Sequence, residues 1–362
     1  MYKLLTVVGA RPHFIKAAMV SRAIREHPEL TEVIVHTGQH YDQMMSDVFF
    51  RELELPAPMY NPGVGSDRPV SQTARVMMGL DEIIQKEAPD LVIVYGDTNT
   101  TAAGAIAAAQ NQIPIAHIEA GLREFDKSIP EEINKLITDA VADLYFCPTQ
   151  TGVSNLAEMG IRQGVHLVGD VGIDLIHAHR ERIAGDQQVL KKFNIQPGEY
   201  FLLTCHRAAN TDRKENLKQI LQAVSQLTMP IIWPMHPRTR KAIDRADFWS
   251  ILEGSKVTAT APLGFWEMQS LLYHARATLT DSGGIIKEAY YHRVPGIIID
   301  SQTEWIETVV EGWNRIVGPD AKRILQAVIE IEIPKFHSNC LGDGTAARKV
   351  CAIIHQFLQH AE

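Results

Sequence analysis

Short hydrophobic runs alternate with longer amphipathic or alanine-rich stretches along the whole chain. The first half contains the runs LLTVVG, EVIVHTG, DLVIVYGD, PIAHIEAG, DLYFCPT and VHLVGD, and the second half YFLLTCH, PIIWPMH, KVTATAP, ATLTDSG and PGIIID. Nearly continuous apolar runs are typical of parallel strands that are buried on both faces. Between them the pattern predicts helices over residues 12–27, 70–87, 100–110, 131–141, 215–226, 265–274, 285–292 and 345–359.

This repeated alternation predicts an α/β fold with two Rossmann-like doubly wound domains facing across a cleft. The chain length of 362 residues also favours two domains. We expect residues 1–168 with 347–362 to form the N-terminal domain and residues 169–346 to form the C-terminal one. Because ligands bind at the carboxyl ends of parallel strands, the site is expected in the cleft.

Composition narrows the functional classes. Hydrophobic residues make up 45% and charged residues 22%, as in ordinary folded proteins. A net charge of −8 without a Lys/Arg run argues against nucleic-acid binding. The N-terminal apolar run is too short for a signal peptide, and no stretch is long enough to cross a membrane, so a cytoplasmic protein is expected. The four cysteines lack CxxC spacing and are predicted to be free thiols, and no metal-binding motif occurs.

Three acidic residues follow strand-like runs or open a helical pattern in the first half. Asp97 ends DLVIVYGD, Glu119 lies in HIEAGLR and Glu131 lies in PEEINK. Each has a structural alternative: Asp97 as a helix cap, Glu131 as a charge at a helix N-terminus, and Glu119 in an ion pair with Arg123. Their shared placement at the ends of elements indicates acid/base chemistry.

Glycine-rich turns supply candidate phosphate contacts. Ser282, Gly283 and Gly284 follow Asp281 in DSGG and precede a helical pattern, so backbone N–H groups can bind phosphate there. Glu288, about one helical turn later, is a candidate for ribose hydroxyls. The alternative is a purely structural turn.

The first strand also ends in a turn, GARPHFIKAA, which carries Arg11 and Lys16. It lacks the GxGxxG spacing of dinucleotide sites. His206 and Arg207 end a strand in the second half, and His236 ends the next strand. A histidine at such a position can titrate near neutrality or donate to a phosphate, although a packed neutral histidine is the alternative.

In order along the chain, GARPHFIKAA, YGDTNTT, HIEAGLR with PEEINK, CHR, DSGGIIKEA and GDGTAAR resemble the non-hydrolysing UDP-N-acetylglucosamine 2-epimerase family. The resemblance implies the GT-B fold, a homodimer, and an active site without nicotinamide or metal. It also implies that the chain interconverts UDP-N-acetylglucosamine and UDP-N-acetylmannosamine for the synthesis of surface polysaccharide.

The resemblance further assigns roles to individual positions. The positions matching the family's active site are Arg11, Lys16, Asp97, Glu119, Glu131 and His206. The positions matching its nucleotide contacts are Ser282, Gly283 and Glu288. Those matching a regulatory second UDP-sugar are Gln39, His40, Arg207 and His236. Many members read HRREN where this chain reads HRAAN, so that regulation is in doubt.

The sequence is also compatible with other functions. QTEWIETV and EGWNRIVG resemble a branch that epimerises UDP-2,3-diacetamido-2,3-dideoxyglucuronate at the same carbon. A GT-B glycosyltransferase would share the domains and the nucleotide site, and a hydrolysing epimerase would release UDP. A two-domain sugar-binding protein is the remaining alternative, and proteins of that class are usually exported.

Overall fold

A computed structural model describes residues 1–39, 50–65 and 67–360 of the chain. In these ranges the strands are β1 (Tyr2–Val8), β2 (Leu30–His36), β3 (Leu91–Tyr95), β4 (Ile115–Ile118), β5 (Leu144–Cys147), β6 (Val165–Leu167), β7 (Phe201–Thr204), β8 (Ile231–Pro234), β9 (Val257–Thr260), β10 (Ala277–Thr280), β11 (Gly296–Ile298) and β12 (Asn314–Ile316). The helices are α1 (Arg11–Arg25), α2 (Pro69–Glu87), α3 (Asn99–Gln110), α4 (Pro130–Val141), α5 (Gln150–Glu158), α6 (Val171–Ala178), α7 (Arg180–Gly185), α8 (Gln188–Phe193), α9 (Ala208–Thr211), α10 (Lys214–Ser225), α11 (Pro237–Ala246), α12 (Phe265–His274), α13 (Gly283–Tyr291), α14 (Ile306–Val310), α15 (Ala321–Ile329) and α16 (Ala346–His360), with a short 3₁₀ helix at Trp249–Leu252.

The chain divides into two compact units. The first unit comprises Met1–Ala178 and Asn339–Glu362, and the second unit comprises His179–Ser338. These limits differ from the boundaries expected after residues 168 and 346. The first unit keeps α6 because this helix packs on α1, and it also includes the loop that leads into α16.

The first unit contains a parallel sheet with the strand order β2-β1-β3-β4-β5-β6 within the described residues. The chain begins with β1, places β2 beside it at the edge of the sheet, and then continues with β3 on the other side of β1. The order therefore reverses between β1 and β3. In doubly wound sheets, a crevice for ligands opens at the carboxyl ends of the two strands that flank such a reversal.

The second unit repeats this design with the order β12-β11-β10-β7-β8-β9, again parallel throughout the described strands. Here β7 is followed by β8 and β9 on one side, and β10 returns to the other side of β7. The reversal lies between β7 and β10. Both sheets are thus Rossmann-like, as the alternation of strands and helices predicted.

Small side chains allow α3 to lie close to the first sheet. This helix reads NTTAAGAIAAAQ, and most of its residues are buried. A Cβ atom on Gly104 would lie 3.0 Å from Cγ1 of Val94 and 3.5 Å from Cγ1 of Val7. The alanine-rich composition is therefore explained by the close approach of the helix to β1 and β3.

The last helix, α16, completes the first unit by packing on α1. Cys351 of α16 is buried, and its thiol lies 3.8 Å from the carbonyl oxygen of Val20. At the N-terminus of the helix, the buried carboxylate of Asp174 accepts a hydrogen bond of 2.7 Å from the amide of Ala347. A carboxylate at a helix N-terminus satisfies otherwise unpaired N–H groups and interacts favourably with the helix dipole.

Every predicted strand and helix overlaps an observed element, whereas several short elements were not predicted. Strand β12 has only three residues, and its central Arg315 is exposed. Helix α11 reads PRTRKAIDRA and buries only Thr239 and Ile243. An apolar stripe this narrow gives little helical periodicity in the sequence.

Cys147, Cys205, Cys340 and Cys351 are free thiols, as predicted from their spacing. None of the helices in the described part of the chain combines the length and the apolar character required to cross a bilayer.

Burial raises the pKa of Asp174 to about 6, although hydrogen bonds from the amides of Ala347 and Ala346 oppose the shift. The folded state therefore holds this proton more tightly than the unfolded state does. The contribution of Asp174 to the free energy of unfolding must fall as the pH rises from about 4 through about 6.

We predict that Asp174→Asn removes this dependence on pH. The free energy of unfolding of the variant, relative to wild type, should increase by about 1–3 kcal/mol between pH 4 and pH 7. Urea unfolding at a series of pH values measures this difference. A difference that stays constant, or that decreases with pH, would contradict the prediction.

Candidate active site

In the first unit, the ends of β1, β3 and β4 lead into the predicted candidates Arg11, Asp97 and Glu119. Gly9 follows β1, and a Cβ atom there would lie 2.3 Å from the hydroxyl oxygens of both Thr37 and Thr100. Only glycine fits this turn. It leads directly into α1, whose first residue is the partly buried Arg11.

Lys16 and Glu119 form a buried ion pair. The lysine Nζ lies 2.5 Å from Oε1 of Glu119, and the two side chains are 8% and 11% exposed. Glu119 adopts a φ of +71°, which is uncommon for a residue other than glycine and tends to occur at functional sites. The ammonium also lies against the turn after β3, because a Cβ atom on Gly96 would be 2.8 Å from it. Lys16 thus links the carboxyl ends of β3 and β4.

The alternative pairing of Glu119 with Arg123 is wrong. The guanidinium of Arg123 instead donates to Oδ2 of Asp139, 2.5 Å away, and both side chains are buried. Spacing along the sequence suggested the neighbour four residues away, whereas the fold provides a lysine that is distant in the sequence.

Asp97 lies next to a second buried lysine. Oδ2 of Asp97 is 3.5 Å from Nζ of Lys135, and the same Nζ is 3.9 Å from Oε2 of Glu124. The side-chain amide of Asn134 donates to the carbonyl oxygen of Asp97 at 2.9 Å. Helix α4 therefore fixes both the backbone and the carboxylate of Asp97.

Sequence reasoning missed Lys135 and Glu124. A signal for Lys135 was available, because it lies four residues after Glu131 in PEEINK, one helical turn away. Glu131 itself is exposed in the first turn of α4. Its neighbour Glu132 is buried and accepts the amide hydrogen of Glu124 at 2.9 Å.

Gln39 is the described member of the pair expected to contact a second nucleotide sugar. Its Oε1 accepts a hydrogen bond of 2.7 Å from the hydroxyl of Thr100. Gln39 therefore lies beside the turn formed by Gly9. His40 lies outside the described residues.

In the second unit, the buried carboxylate of Asp281 organises the strand ends at the reversal. It accepts hydrogen bonds from the amides of His206 and Arg207, each 2.9 Å from Oδ2, and from the side chain of Asn210 at 3.0 Å. Asp281 thus ties the loop after β7 to the end of β10. Nδ1 of His206 lies 3.5 Å from the same carboxylate, while its side chain is 40% exposed.

The two predicted histidines of this unit lie side by side. The ring centres of His206 and His236 are 5.6 Å apart. His236 is the N-cap residue of α11, and its Nδ1 accepts the amide hydrogen of Arg238 at 3.1 Å. Nδ1 of His236 therefore acts as a hydrogen-bond acceptor in this arrangement.

The glycine-rich turn opens α13, with Ser282 as its N-cap residue. A Cβ atom on Gly283 would lie 3.3 Å from Nε1 of Trp305 and 3.4 Å from Oε1 of Glu304, whereas one on Gly284 would meet nothing closer than 3.8 Å. Gly283 thus permits a close approach to the loop after β11. The N-terminus of a nine-residue helix provides backbone donors and a favourable field for an anion.

Glu288 is held one turn further along α13. Its Oε2 accepts a hydrogen bond of 2.7 Å from Gln269, whose Oε1 lies 2.9 Å from Nε2 of His292. Burial lowers the pKa of His292 to about 3, so this ring is neutral and its Nε2 carries the hydrogen that it donates to Gln269. The chain of bonds orients the Glu288 carboxylate.

Arg207 contributes through both its backbone and its side chain. Besides the bond from its amide to Asp281, its NH1 lies 3.4 Å from Oδ2 of Asp300, which follows β11. Asp281, Asp300 and Trp305 were not assigned roles from the sequence. Among the described residues, no three or more His, Cys, Asp or Glu side chains cluster in a way that could hold a metal ion.

Comparison with known proteins decides the family. The profile of UDP-N-acetylglucosamine 2-epimerases matches residues 22–355. The chain belongs to this family. It is therefore an enzyme of the epimerase class, and the resemblance seen in the sequence motifs is confirmed.

Relatives of this epimerase chain cover nearly its whole length. A UDP-N-acetylglucosamine 2-epimerase homolog from Methanococcus maripaludis is 44% identical over 355 residues, which are 97% of this chain and 99% of the relative. The UDP-2,3-diacetamido-2,3-dideoxy-D-glucuronate 2-epimerase of Pseudomonas aeruginosa is 41% identical over 90% of this chain and 91% of its own length.

A solved structure is similar over the same extent. The crystal structure of the Methanocaldococcus jannaschii UDP-GlcNAc 2-epimerase, in complex with UDP-GlcNAc and UDP, aligns with a TM-score of 0.92 at 36% identity, covering 98% of this chain and 99% of that chain. The predicted GT-B class, with its two Rossmann-like domains, is thereby confirmed for this epimerase.

For this epimerase we predict that Asp281→Asn lowers the free energy of unfolding by about 1–3 kcal/mol. The substitution places an NH₂ group where backbone amides and Asn210 now donate, which leaves buried donors unpaired. Urea unfolding measures the loss. Asp212→Asn is the matched control, since its pair with Arg238 is largely exposed and should contribute less than about 1 kcal/mol. Equal effects of the two variants would refute the structural role of Asp281.

Proposed function

We propose that the chain interconverts UDP-N-acetylglucosamine and UDP-N-acetylmannosamine by inverting carbon 2 of the sugar. The observation that carries the proposal is the presence of two lysine–carboxylate pairs, Lys16–Glu119 and Lys135–Asp97, at the ends of adjacent strands. A relative named UDP-N-acetylglucosamine 2-epimerase, from Methanocaldococcus jannaschii, is 37% identical over 97% of this chain and supports the substrate.

The chemistry explains why several proton-transfer groups are needed. The hydrogen on carbon 2 has no adjacent carbonyl to acidify it, so simple deprotonation would be very slow. In the proposed mechanism a base removes this proton while the bond from carbon 1 to the diphosphate oxygen breaks. UDP leaves with the bond electrons, and a carbon 1–carbon 2 double bond forms, giving a 2-acetamidoglucal. UDP then adds back to carbon 1 while carbon 2 is protonated from the opposite face.

This mechanism requires a base and an acid on opposite sides of the sugar ring. We assign these roles to members of one set, namely Asp97, Glu119, Glu131 and His206, with Lys16 holding Glu119. A positioned proton-transfer group contributes a rate factor of about 10²–10⁴. A buried ion pair at 2.5 Å supports Glu119 as an oriented carboxylate rather than a solvated surface charge.

Departure of UDP requires stabilisation of the negative charge that builds on the diphosphate. We propose that Arg11, Ser282, Gly283 and Gly284 contact the diphosphate and that Glu288 contacts the ribose. The N-terminus of α13 supports this assignment, because its backbone donors require no rearrangement as the charge develops. Gln39, His40, Arg207 and His236 remain proposed contacts for a second UDP-sugar.

We further propose that residues 1–168 with 347–362 carry the acid/base carboxylates and that residues 169–346, which include His206, bind UDP. A homodimer and a role in surface-polysaccharide synthesis are proposed from the family resemblance. The Pseudomonas aeruginosa relative supports a second substrate, UDP-2,3-diacetamido-2,3-dideoxyglucuronate, because it is 41% identical over 90% of the chain.

Incubation of the purified protein with UDP-N-acetylglucosamine alone, followed by NMR, tests the proposal. The proposal predicts UDP-N-acetylmannosamine without any acceptor. Free UDP with a mannosamine derivative would instead indicate a hydrolysing epimerase, and turnover that depends on an acceptor would indicate a glycosyltransferase. If the protein is inert with this sugar but inverts the diacetamido-uronate, the second substrate replaces the first.

We predict that Asp97→Asn reduces kcat at least about 10²-fold while the Kd for UDP changes little, because the change removes a proton-transfer group but leaves the diphosphate site intact. Steady-state kinetics and calorimetric titration with UDP provide the two readouts. Asp90→Asn is the matched control, since Asp90 is exposed just before β3, at the opposite end of that strand. A kcat of Asp97→Asn within a few-fold of wild type would exclude Asp97 from the chemical step.

A further inference from the structure

His117 is a fully buried residue of β4, two residues before Glu119. Its Nδ1 lies 2.6 Å from Oδ1 of Asp139, and its Nε2 lies 2.8 Å from the carbonyl oxygen of Gly96. The ring therefore connects helix α4 to the turn that precedes Asp97. The proposed reaction assigns no task to this buried histidine.

The partners of His117 determine its protonation. A neutral imidazole has one donating and one accepting nitrogen, whereas a carbonyl oxygen only accepts. Nε2 must therefore carry a hydrogen to bond Gly96. Nδ1 must also carry one, provided that the carboxylate of Asp139 is ionised.

Several contacts keep Asp139 ionised. Burial would raise the pKa of this carboxyl group, but the charges and hydrogen bonds of His117 and Arg123 outweigh burial, so its pKa lies below the usual value. Its second oxygen, Oδ2, accepts from Arg123 at 2.5 Å and from the amide of Gly121 at 3.2 Å. The ion pair with Arg123 does not depend on the His117 ring, and a proton on Oδ1 would remove the negative charge that pairs with this buried guanidinium.

We infer that His117 is a buried imidazolium that acts as a positioning residue. It holds the Gly96–Asp97 turn in a fixed position relative to the end of β4, which is followed by Glu119. Its charged form arises because both ring nitrogens face oxygen acceptors. The positioning role rests on the proposed function of the two carboxylates, whereas the charged state does not.

Two residues next to the ring have an uncommon backbone conformation that must be held in place. Glu119 and Gly96 both adopt left-handed conformations, with φ of +71° and +60°. The amide of Gly96 donates to the carbonyl oxygen of Ile118 at 2.9 Å, so the turn and the end of β4 are joined twice. Loss of the His117 bond would release one of these two connections and let the carboxylates shift relative to each other.

The other titratable groups near the ring are compatible with a cation. Burial raises the pKa of both Tyr145 and Cys147 on β5 to about 12, with Asp139 contributing, so neither group ionises near neutrality. Arg123 adds one positive charge and Asp139 one negative charge. The positive charge of Lys16, which contacts the Gly96 turn, is balanced by the negative charge of Glu119.

NMR of the whole protein with ¹⁵N-labelled histidine tests the charged state. Long-range ¹H–¹⁵N correlations distinguish an imidazolium from the two neutral tautomers, and correlations to the backbone assign each ring without any variant. At pH 8 we expect His117 to be doubly protonated. His166 on β6 is the internal control, since burial lowers its pKa and it should be neutral. A neutral His117 ring at pH 8 would overturn the inference.

A kinetic comparison tests the positioning role. His117→Gln retains a single NH₂ donor group and should lower kcat about 10–100-fold with KM within about twofold, because misplaced catalytic groups slow the chemical step. His166→Gln is the matched control. A kcat for His117→Gln within about twofold of wild type would refute positioning. If wild type lacks epimerase activity altogether, the proposed function fails, but the NMR result still decides the charge of His117.

Discussion

The requirement to pair charges that are buried at the carboxyl edge of a parallel sheet shapes the first unit. An isolated carboxylate in an apolar interior is very unfavourable, so each one needs a cation or several hydrogen-bond donors. Lys16 meets this requirement for Glu119, and Lys135 lies between Asp97 and Glu124. Both lysines come from helices that pack on the sheet. The same pairing that makes burial of the carboxylates tolerable also fixes their orientation, which is what proton transfer requires.

The second unit also contains a buried carboxylate, but hydrogen-bond donors stabilise it there. Its reversal between β7 and β10 places one buried carboxylate, Asp281, where it accepts hydrogen bonds from a loop rather than from a cation. The acid organises the loop of His206, and the backbone donors at the start of α13 remain oriented for an anion. The two sheets thus use the same topology, one to hold acids and the other to present donors. We propose that the elimination of UDP depends on both sets of groups, the acids of the first unit and the donors of the second.

The sequence predicted the elements whose patterns are local and strong. Continuous apolar runs identified the buried strands, and DSGG marked the start of α13. Partners that are distant in the sequence could not be predicted: Glu119 lies 103 residues from Lys16, whereas Arg123 was the nearest obvious partner. Short elements such as β12 were missed because three residues carry too little periodicity. Lys135 was visible in PEEINK, but nothing local shows that it turns inward.

Deuterium incorporation reports whether the proton on carbon 2 is transferred. The protein is incubated in D₂O with UDP-N-acetylglucosamine, or with the diacetamido-uronate substrate if only that sugar is turned over, and the products are followed by NMR. If the proton is removed and replaced from solvent, each inverted sugar carries deuterium at carbon 2, and Asp97→Asn slows incorporation and inversion together. Inversion that retains the original hydrogen at carbon 2 would contradict an elimination in which the abstracted proton exchanges with solvent. It would also contradict the role proposed for the paired carboxylates.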